Sequence, residues 1–347
     1  MKITHIHIER FRGFQNEDFE VGSLLTAIAG QNGTQKSTLL GIITQTFTLK
    51  TEDSMRVEKP LCGGSYISAF KDKFRLSPTF DKPKGHEWTI SFDAGMDDFT
   101  VESIKRTGDP NVRFWKKGAR QEGDGYISFP TIFLSLKRLV PVAEEAKIIT
   151  DDTLLTQEEL NEFKQLHNKI LIAQTPISSA TTITSKNKQS IGVSTELYDW
   201  NQNSMGQDNL GKIILALFSF KRLHDKYPRQ YKGGILAIDE MDATMYPASQ
   251  VELLKVLRKY ASKLNLQILF TTHSMSLLKA MDDLVQEVTK KEETANQAKI
   301  LYLKKVDDKI AIKQGVNFKG IQLDLNVVAE GNNRKKNRIT AYTEDKT

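Results

Sequence analysis

The stretch from Leu24 to Ile43 constrains the fold more strongly than any other part of the sequence. An apolar run, Leu24 to Ala29, ends at Gly30, and a second apolar stretch extends from Ser37 to Ile43. Short apolar runs that end at glycine are typical of buried strands, and the second stretch fits a buried helix that docks on a sheet. The sequence therefore predicts a strand, a glycine-containing loop and a helix in direct succession.

The loop between these two elements is one residue away from the phosphate-loop pattern Gly-x-x-x-x-Gly-Lys-Ser. In that pattern, backbone N–H groups surround the phosphates, the lysine bridges the β- and γ-phosphates, and the serine hydroxyl ligates Mg²⁺. We therefore expect ATP and Mg²⁺ to bind here, with Ser37 as a metal ligand. Gln35 stands where glycine is usual, and we expect its side chain to slow nucleotide exchange or hydrolysis. The expected nucleotide-binding residues are Gly30, Gln31, Asn32, Gly33, Thr34, Gln35, Lys36, Ser37 and Thr38.

Two later strands are followed by side chains that suit phosphate chemistry. The apolar strand from Gly234 to Ile238 leads into Asp239 and Glu240. We expect Asp239 to hold Mg²⁺ through water and Glu240 to polarise the attacking water. A third apolar strand leads into His273, at the carboxyl end of a strand, where the ligands of open α/β sheets collect. Glu240 and His273 are therefore the predicted catalytic residues.

A fourth motif, Asn203-Ser204-Met205-Gly206-Gln207, immediately precedes a long apolar helix. Its polar groups lie at a helix N-terminus, which is an anion-binding location. Together the four motifs resemble the ABC-type ATPase heads of SMC, RecF and OLD-family proteins. The resemblance implies that Ser204, Gly206 and Gln207 form a signature that contacts ATP bound to the opposite subunit. Met205 stands where the first signature glycine is usual.

The resemblance extends beyond these motifs and carries further expectations. Arg10-Phe11-Arg12-Gly13-Phe14 looks like the segment that opens such heads, which places Arg12 among the cofactor-binding residues. The family likeness implies an ATPase that dimerises around ATP and regulates a nuclease partner or a fused nuclease domain, as in bacterial anti-phage systems. The interval between Thr38 and Ser204 is too short for a long coiled-coil arm. Arg138 resembles an arginine of OLD-like heads that faces phosphate or the neighbouring subunit, and a surface cation is the alternative.

The expected fold is an α/β, ABC-type P-loop NTPase head with a mixed sheet. Its parts are a head over residues 1–290 and a C-terminal region of strands and a basic tail over residues 291–347. Within the head, we predict a β-rich antiparallel subdomain at about 60–136, which includes a strand from Thr131 to Leu136, and a helical lobe at about 140–225. A capping box at Thr156 predicts a helix start, and Ser178 to Ser194 is expected to be a mobile connection.

The C-terminal residues leave two readings open. Strand-like Ile339 to Tyr342 is followed by Glu344 and Asp345, which looks like the opening strand of a TOPRIM-type nuclease domain that continues past this chain. An ordinary polar tail accounts for the same residues equally well. The sequence does not decide between them.

Composition excludes several classes of protein and leaves the partner open. The one cysteine, Cys62, excludes an internal disulfide and a thiolate zinc site, and no apolar run approaches the length of a membrane span, so we expect a cytoplasmic protein. The net charge of +6 and two basic stretches, Arg113 to Arg120 and Arg334 to Arg338, are compatible with DNA or RNA. The alternatives to an ATPase that regulates a nuclease are a nucleotide-gated scaffold with little turnover and a RecF- or SMC-like DNA-repair head.

Overall fold

The computed structural model describes residues 1–67, 73–93, 95–105, 112–119, 124–139, 148–151, 154–185 and 189–333. Within these ranges the strands are β1 (Ile3–Phe11), β2 (Phe14–Glu20), β3 (Leu25–Gly30), β4 (Phe47–Thr48), β5 (Glu87–Phe92), β6 (Phe99–Lys105), β7 (Val112–Lys116), β8 (Ile127–Ser128), β9 (Thr131–Leu134), β10 (Ile149–Asp151), β11 (Ser179–Thr184), β12 (Gln189–Ser194), β13 (Gly234–Ile238), β14 (Leu266–Thr272), β15 (Ala298–Val306) and β16 (Lys309–Lys313). The helices are α1 (Lys36–Thr44), α2 (Gln157–Leu171), α3 (Met205–Lys226), α4 (Pro247–Lys263), α5 (Met275–Val288) and α6 (Phe318–Asn333).

A six-stranded central sheet organises the molecule. Its strand order is β16-β15-β3-β14-β13-β9, and every neighbouring pair is parallel except β15 with β16. Because parallel strands end at the same edge of a sheet, the segments that follow β3, β13 and β14 meet there. The predicted α/β fold with a mixed sheet is confirmed, and so is the strand-loop-helix unit formed by β3 and α1.

Successive side chains along each central strand point to opposite faces of the sheet, and this divides the interior into two cores. In β13, Leu236 and Ile238 pack into the core beneath α3, α4 and α5, whereas Ile235 and Ala237 point to the opposite core with α1. Every residue of β13 is buried, as is typical of a parallel strand that is covered on both faces. The helix α1 is therefore held between the central sheet and a second sheet.

That second sheet is antiparallel, with strand order β2-β1-β5-β6-β7. The expected β-rich subdomain at about 60–136 needs correction, because the sheet takes two of its five strands from residues 3–20. The predicted strand from Thr131 also belongs elsewhere: β9 pairs in parallel with β13 at the edge of the central sheet. Its short run Thr-Ile-Phe-Leu is mostly buried on both faces, which suits a parallel strand and not a half-exposed one.

The middle section is less helical than expected. Thr156 forms the predicted capping box with Glu159 at the start of α2, so that prediction is confirmed. The segment expected to be a mobile connection is instead a hairpin, β11 and β12, which joins β10 in a three-stranded sheet. Its many Ser and Thr residues suggested a loop, but Ile183, Ile191 and Val193 are buried between them and fix the strands.

The C-terminal segment packs on the head. The strand β15 lies beside β3 inside the central sheet, so the expected division at residue 290 does not separate two folded units. Helix α6 then lies against α5. Residues 334–347, which include the second basic stretch and the TOPRIM-like strand, lie outside the described residues. In the part of the chain that the structure describes, no helix is both long and apolar enough to cross a membrane.

Candidate nucleotide-binding site

The loop between β3 and α1 closes around its own lysine. Lys36 is buried, and its Nζ donates to the carbonyl oxygens of Gly30 at 3.1 Å and Gln31 at 2.9 Å. Burial lowers the pKa of Lys36, while the nearby carboxylates of Glu240, Asp239 and Asp242 oppose that shift. A positive charge therefore lies inside the loop, where the phosphate-loop pattern places it.

Asp239 connects this loop to the neighbouring strands. Its Oδ1 accepts hydrogen bonds of 2.8 Å from both the Ser37 hydroxyl and the Thr271 hydroxyl. Thr271 Oγ1 in turn accepts a bond of 2.6 Å from the Glu240 N–H. A continuous set of hydrogen bonds thus joins the first turn of α1 to the segments at the ends of β13 and β14.

The oxygen atoms of Ser37 and Asp239 fit a magnesium ion. Mg²⁺ prefers hard oxygen ligands, and in phosphate sites it is bound by one or two protein groups together with phosphate oxygens. Among the described residues, no cluster of three or more His, Cys, Asp or Glu side chains could hold a metal alone. A cation at Ser37 and Asp239 would therefore depend on a phosphate ligand for the rest of its coordination.

His273 follows β14 and faces the phosphate loop. Burial, followed by the charge of Lys36, lowers the pKa of His273 against the opposing effect of nearby carboxylates, so the ring is neutral near pH 7. It lines a cavity of about 330 Å³ together with Gly30, Gln31 and two α6 residues, Gln322 and Leu325. The C-terminal helix therefore lies directly beside the candidate site.

Helix α6 is anchored in that position by Asp324. The Tyr302 hydroxyl of β15 donates to Asp324 Oδ2 at 2.9 Å, and Lys304 forms an ion pair with the same carboxylate. The hydrogen bond from Lys304 comes first among the causes that lower the pKa of Asp324. Nothing in the sequence pattern indicated that α6 would reach the phosphate loop.

Arg12 lies on the opposite side of the loop, next to the first turn of α1. Its guanidinium binds both carboxylate oxygens of Asp81, at 3.1 and 3.0 Å, and Nη1 lies 3.4 Å from Thr38 Oγ1. Burial raises the pKa of Asp81, but hydrogen bonds from Arg12, Ser77 and His86 outweigh it and the net pKa is lowered. Arg12 and Gln35 line a cavity of about 600 Å³.

The signature residues lie at the start of α3, as the sequence predicted. The Ser204 N–H donates to Gln207 Oε1 at 2.8 Å, and the Gln207 N–H donates to Ser204 Oγ at 3.3 Å, so the two residues form a reciprocal cap. Met205 and the nearby Tyr246 are about half exposed, at 48% and 49%. The helix end thus presents polar groups and apolar side chains on the surface of the single chain.

Arg138 and Thr271 both lie in the interior of the site. Arg138, expected to face phosphate, a neighbouring subunit or solvent, is 4% exposed and donates to groups of its own chain. The sequence predicts no role for Thr271, although a hydroxyl two residues before a strand-end histidine is a usable signal. In the first basic stretch, the Arg113 guanidinium lies 5.2 Å from the centroid of the Trp115 ring on the edge strand β7, and Arg120 falls outside the described residues.

Comparisons with known proteins bear on the fold and on the kind of domain. Residues 137–278 match the family model described as AAA ATPase domain. The chain is 14% identical to an Smc head bound to the C-winged helix domain of ScpA, with a TM-score of 0.53, and the match covers 93% of this chain and 100% of that one. It is 13% identical to an Smc head with an extended coiled coil from Pyrococcus furiosus, with a TM-score of 0.50, over 94% of this chain and 99% of that one.

A third structure, the recombination mediator protein RecF, is 11% identical, with a TM-score of 0.44, over 90% of this chain and 98% of that one. The chain has no match among curated proteins. The two Smc heads show that the fold is that of an ABC-type ATPase head of the SMC kind, as predicted.

Proposed function

We propose that this chain binds ATP together with Mg²⁺ at residues 30–38 and hydrolyses the nucleotide. The observation that carries the proposal is the 2.8 Å hydrogen bond between Ser37 Oγ and Asp239 Oδ1, which joins the phosphate loop to the acidic strand end. In P-loop NTPases a loop serine and a strand-end aspartate are the groups that hold Mg²⁺. The match of residues 137–278 to an ATPase domain adds support.

Each polar group of the site has a distinct role in this proposal. Lys36 binds the β- and γ-phosphates, and the N-terminus of α1 contributes backbone N–H groups and a partial positive charge. Glu240 accepts a proton from the attacking water. His273 forms a hydrogen bond to the γ-phosphate. When bound at Ser37 and Asp239, Mg²⁺ neutralises charge that develops on the phosphates.

The proposal includes a homodimer that closes around two nucleotides. Ser204, Gly206 and Gln207 lie at the N-terminus of α3, where Ser204 is exposed, Gln207 is partly exposed and Gly206 is buried, and there they would meet ATP held by a second copy of the chain. The half-exposed Met205 and Tyr246 supply apolar surface beside them. ATP would favour the closed dimer because it binds that state more tightly, and hydrolysis would release it.

We further propose that the nucleotide state regulates a nuclease, either a partner or a fused domain, in anti-phage defence. The support for this step is the resemblance of the motifs to ATPase components that act with nucleases. The position of α6 beside Gln31 and His273 offers a physical connection between the nucleotide and the residues that follow Asn333.

Phosphate release tests the hydrolytic part of the proposal. Lys36→Ala removes the cation that would bind the phosphates, so we expect Mg²⁺-dependent phosphate release from ATP to fall by about a hundredfold or more. Lys305→Ala, at an exposed lysine of β15, is the matched control and should keep the wild-type rate. Wild-type phosphate release that survives Lys36→Ala would show that another site, or a contaminant, is responsible.

One observation favours a second function, a nucleotide-gated scaffold with little turnover. Gln35 has φ 61° and ψ 31° directly before α1, so a side chain occupies a backbone position that glycine usually fills. Tight equilibrium binding of ATP by the wild type without phosphate release would identify the scaffold. A DNA-repair head of the SMC kind fits the same fold, and salt-sensitive stimulation of the phosphate release by duplex DNA would identify that function.

A further inference from the structure

Arg138 is an arginine in the interior of the molecule. It lies in a 3-10 turn, Leu136–Leu139, that follows β9, and 4% of its surface is exposed. Burial lowers the pKa of Arg138 to about 10, against the opposing charges of Asp239, Glu240 and Asp242, so the side chain remains positive at neutral pH. A buried guanidinium is costly unless its N–H groups have partners, and those partners identify what it does.

The guanidinium of Arg138 connects three parts of the fold. Its Nε donates to Asn209 Oδ1 of α3 at 2.7 Å, and its Nη2 donates to the carbonyl oxygen of Glu240 at 2.8 Å. Its Nη1 donates to the carbonyl oxygens of Leu134 at 3.3 Å and Ser135 at 3.1 Å, at the end of β9. One side chain therefore links the signature helix, the residue proposed to activate water and the edge of the central sheet.

Asn209 completes the connection on the other side of α3. It is fully buried, and its Nδ2 donates to the carbonyl oxygen of Ala243 at 3.0 Å and lies 3.4 Å from Thr244 Oγ1. One turn earlier, a Cβ at Gly206 would lie 2.6 Å from the Thr244 carbonyl oxygen, so glycine is required for this close approach. The first two turns of α3 are thus fixed to residues 240–244.

The backbone of Glu240 explains why these contacts matter for the site. Glu240 has φ 49°, in the left-handed region that a residue with a side chain occupies only when its surroundings hold it there. Three hydrogen bonds hold it: the N–H donates to Thr271 Oγ1, and the carbonyl oxygen accepts from Arg138 Nη2 and from the Ala243 N–H at 3.1 Å. Because the backbone angle sets the direction of the side chain, the Arg138 bond helps to aim the carboxylate.

We propose that Arg138 and Asn209 form a positioning pair that couples the N-terminus of α3 to Glu240 within one chain. Displacement of α3 when Ser204 engages a nucleotide moves Asn209, and Arg138 transmits that movement to the Glu240 carbonyl. Neither side chain touches the nucleotide. This inference rests on the proposed ATP hydrolysis and on the proposed homodimer, in which Ser204 meets the nucleotide of the second copy. Its consequence is that hydrolysis depends on the position of the signature helix.

Kinetics of three variants test the pair. Asn209→Leu leaves Arg138 Nε without its acceptor, and Arg138→Lys keeps the charge but loses the planar fork. We expect each variant to lower kcat by about tenfold or more while KM for ATP changes by less than about twofold, because ground-state binding is untouched. The double variant should lose no more kcat than the worse single variant, since the two residues act as a unit.

Arg222→Lys is the matched control. Arg222 also binds through its guanidinium, to Glu159 at 2.8 and 2.7 Å, but at the far end of α3, so the same substitution should leave kcat unchanged. An increase in KM at constant kcat, or effects of the two single variants that multiply in the double variant, would overturn the coupling. A wild type that releases no phosphate would instead count against the proposed function.

Amide hydrogen exchange gives a readout that needs no turnover. The response of the phosphate loop serves as the reference that separates a lost connection from poor folding of a variant. In the wild type, ATP with Mg²⁺ should change exchange in residues 205–211 and 240–244 together. In Asn209→Leu, the change in 240–244 should disappear while exchange in the phosphate loop, residues 30–36, still responds. Independent responses of the two segments in the wild type, or no response in either, would refute the inference.

Discussion

Gln35 shows how one residue departs from a common pattern and what compensates for it. Its φ of 61° lies in the left-handed region, which costs a residue with a side chain about 1 kcal/mol or more. The side chain extends under the turn between β1 and β2, where a Cβ on Gly13 would lie 2.7 Å from Gln35 Nε2. Gln35 Oε1 is buried and has no hydrogen-bond partner in the described part of the chain. Gly13 therefore makes room for an unusual neighbour.

We expect Gly13→Ala to destabilise the protein, and Gln35→Gly to relieve part of that effect. The added methyl group meets both Gln35 and Ile310, so the unfolding free energy should fall by about 1–3 kcal/mol. In the Gln35→Gly background the loss should be smaller by about 1 kcal/mol, while the contact with Ile310 persists. Urea denaturation of the four proteins measures the coupling. Equal losses in both backgrounds would mean that Gln35 does not occupy this space.

Individual residues were predictable where a backbone pattern fixes their place. Lys36 and Ser37 follow from the loop pattern, and Asp239 follows from an apolar strand that ends in carboxylates, so their approach could be anticipated. Arg138 and Asn209 could not be, because an isolated arginine or asparagine in a sequence gives no indication of its partners. Their roles depend on contacts between segments that lie far apart in the chain.

At the scale of elements, the helix α2 contains a histidine in an apolar setting. His167 is buried and its ring stacks on Phe163 with centroids 5.9 Å apart. Burial lowers the pKa of His167 to about 4, and neither ring nitrogen has a hydrogen-bond partner among the described residues. The folded protein therefore keeps this ring neutral over a pH range in which the unfolded chain would protonate it.

This difference predicts that the unfolding free energy falls as the pH is lowered from about 6.5 to 4. Above about pH 6.5, His167 is unprotonated in both the folded and the unfolded state. Below it, the unfolded state binds a proton at His167 and the folded state does not. The unfolding free energy should fall by about 3 kcal/mol over this window because of His167. His167→Leu should remove most of that slope, as measured by urea denaturation at a series of pH values.

A remaining slope in the variant is expected from a second histidine. Burial also lowers the pKa of His86, against the effect of Asp81, so this residue contributes in the same direction. Ser103→Ala is a suitable control, since it removes the 3.0 Å hydrogen bond to His86 Nδ1 and leaves His167 unaltered. If His167→Leu retains the full wild-type slope, His167 does not titrate as proposed.

Element prediction succeeded where local chemistry was strong and failed where tertiary contacts decide. The capping box at Thr156 and the apolar runs of β13 and β14 gave elements of the correct type. The hairpin of β11 and β12 was missed because its Ser and Thr residues are equally common in loops, and only the burial of alternate apolar side chains distinguishes the two. The strand β9 was found but assigned to the wrong sheet, because its neighbour β13 lies about a hundred residues later in the chain.

At the scale of the whole molecule, the chain closes its central sheet with distant segments. The strand β3 has β14 on one side and β15 on the other, so segments that lie far apart in the chain form the sheet edge at the candidate site together. Sequence patterns predicted parallel strands but not this order. The consequence is that the loop, the acidic strand end and α6 form parts of one surface, and a second copy of the chain would contact that surface as a unit.

A variant that cannot hydrolyse ATP should retain the second copy of the chain. If Glu240 activates water, Glu240→Gln should still bind ATP but retain it, so the closed dimer should accumulate. We expect light scattering to show a larger ATP-dependent dimer fraction for Glu240→Gln than for the wild type. Glu293→Gln, an exposed acid away from the site, is the matched control and should behave as the wild type does.

Two double variants separate closure around the nucleotide from nonspecific association. Lys36→Ala combined with Glu240→Gln should return the protein to monomer, because the phosphates lose their cation. Met205→Glu combined with Glu240→Gln should also remain monomeric while it still binds ATP, because a charge replaces an exposed apolar group at the start of α3. A dimer that persists in both double variants would exclude the sandwich, since closure would then depend on neither the nucleotide nor the signature face. A Glu240→Gln variant that associates no more than the wild type would exclude it as well.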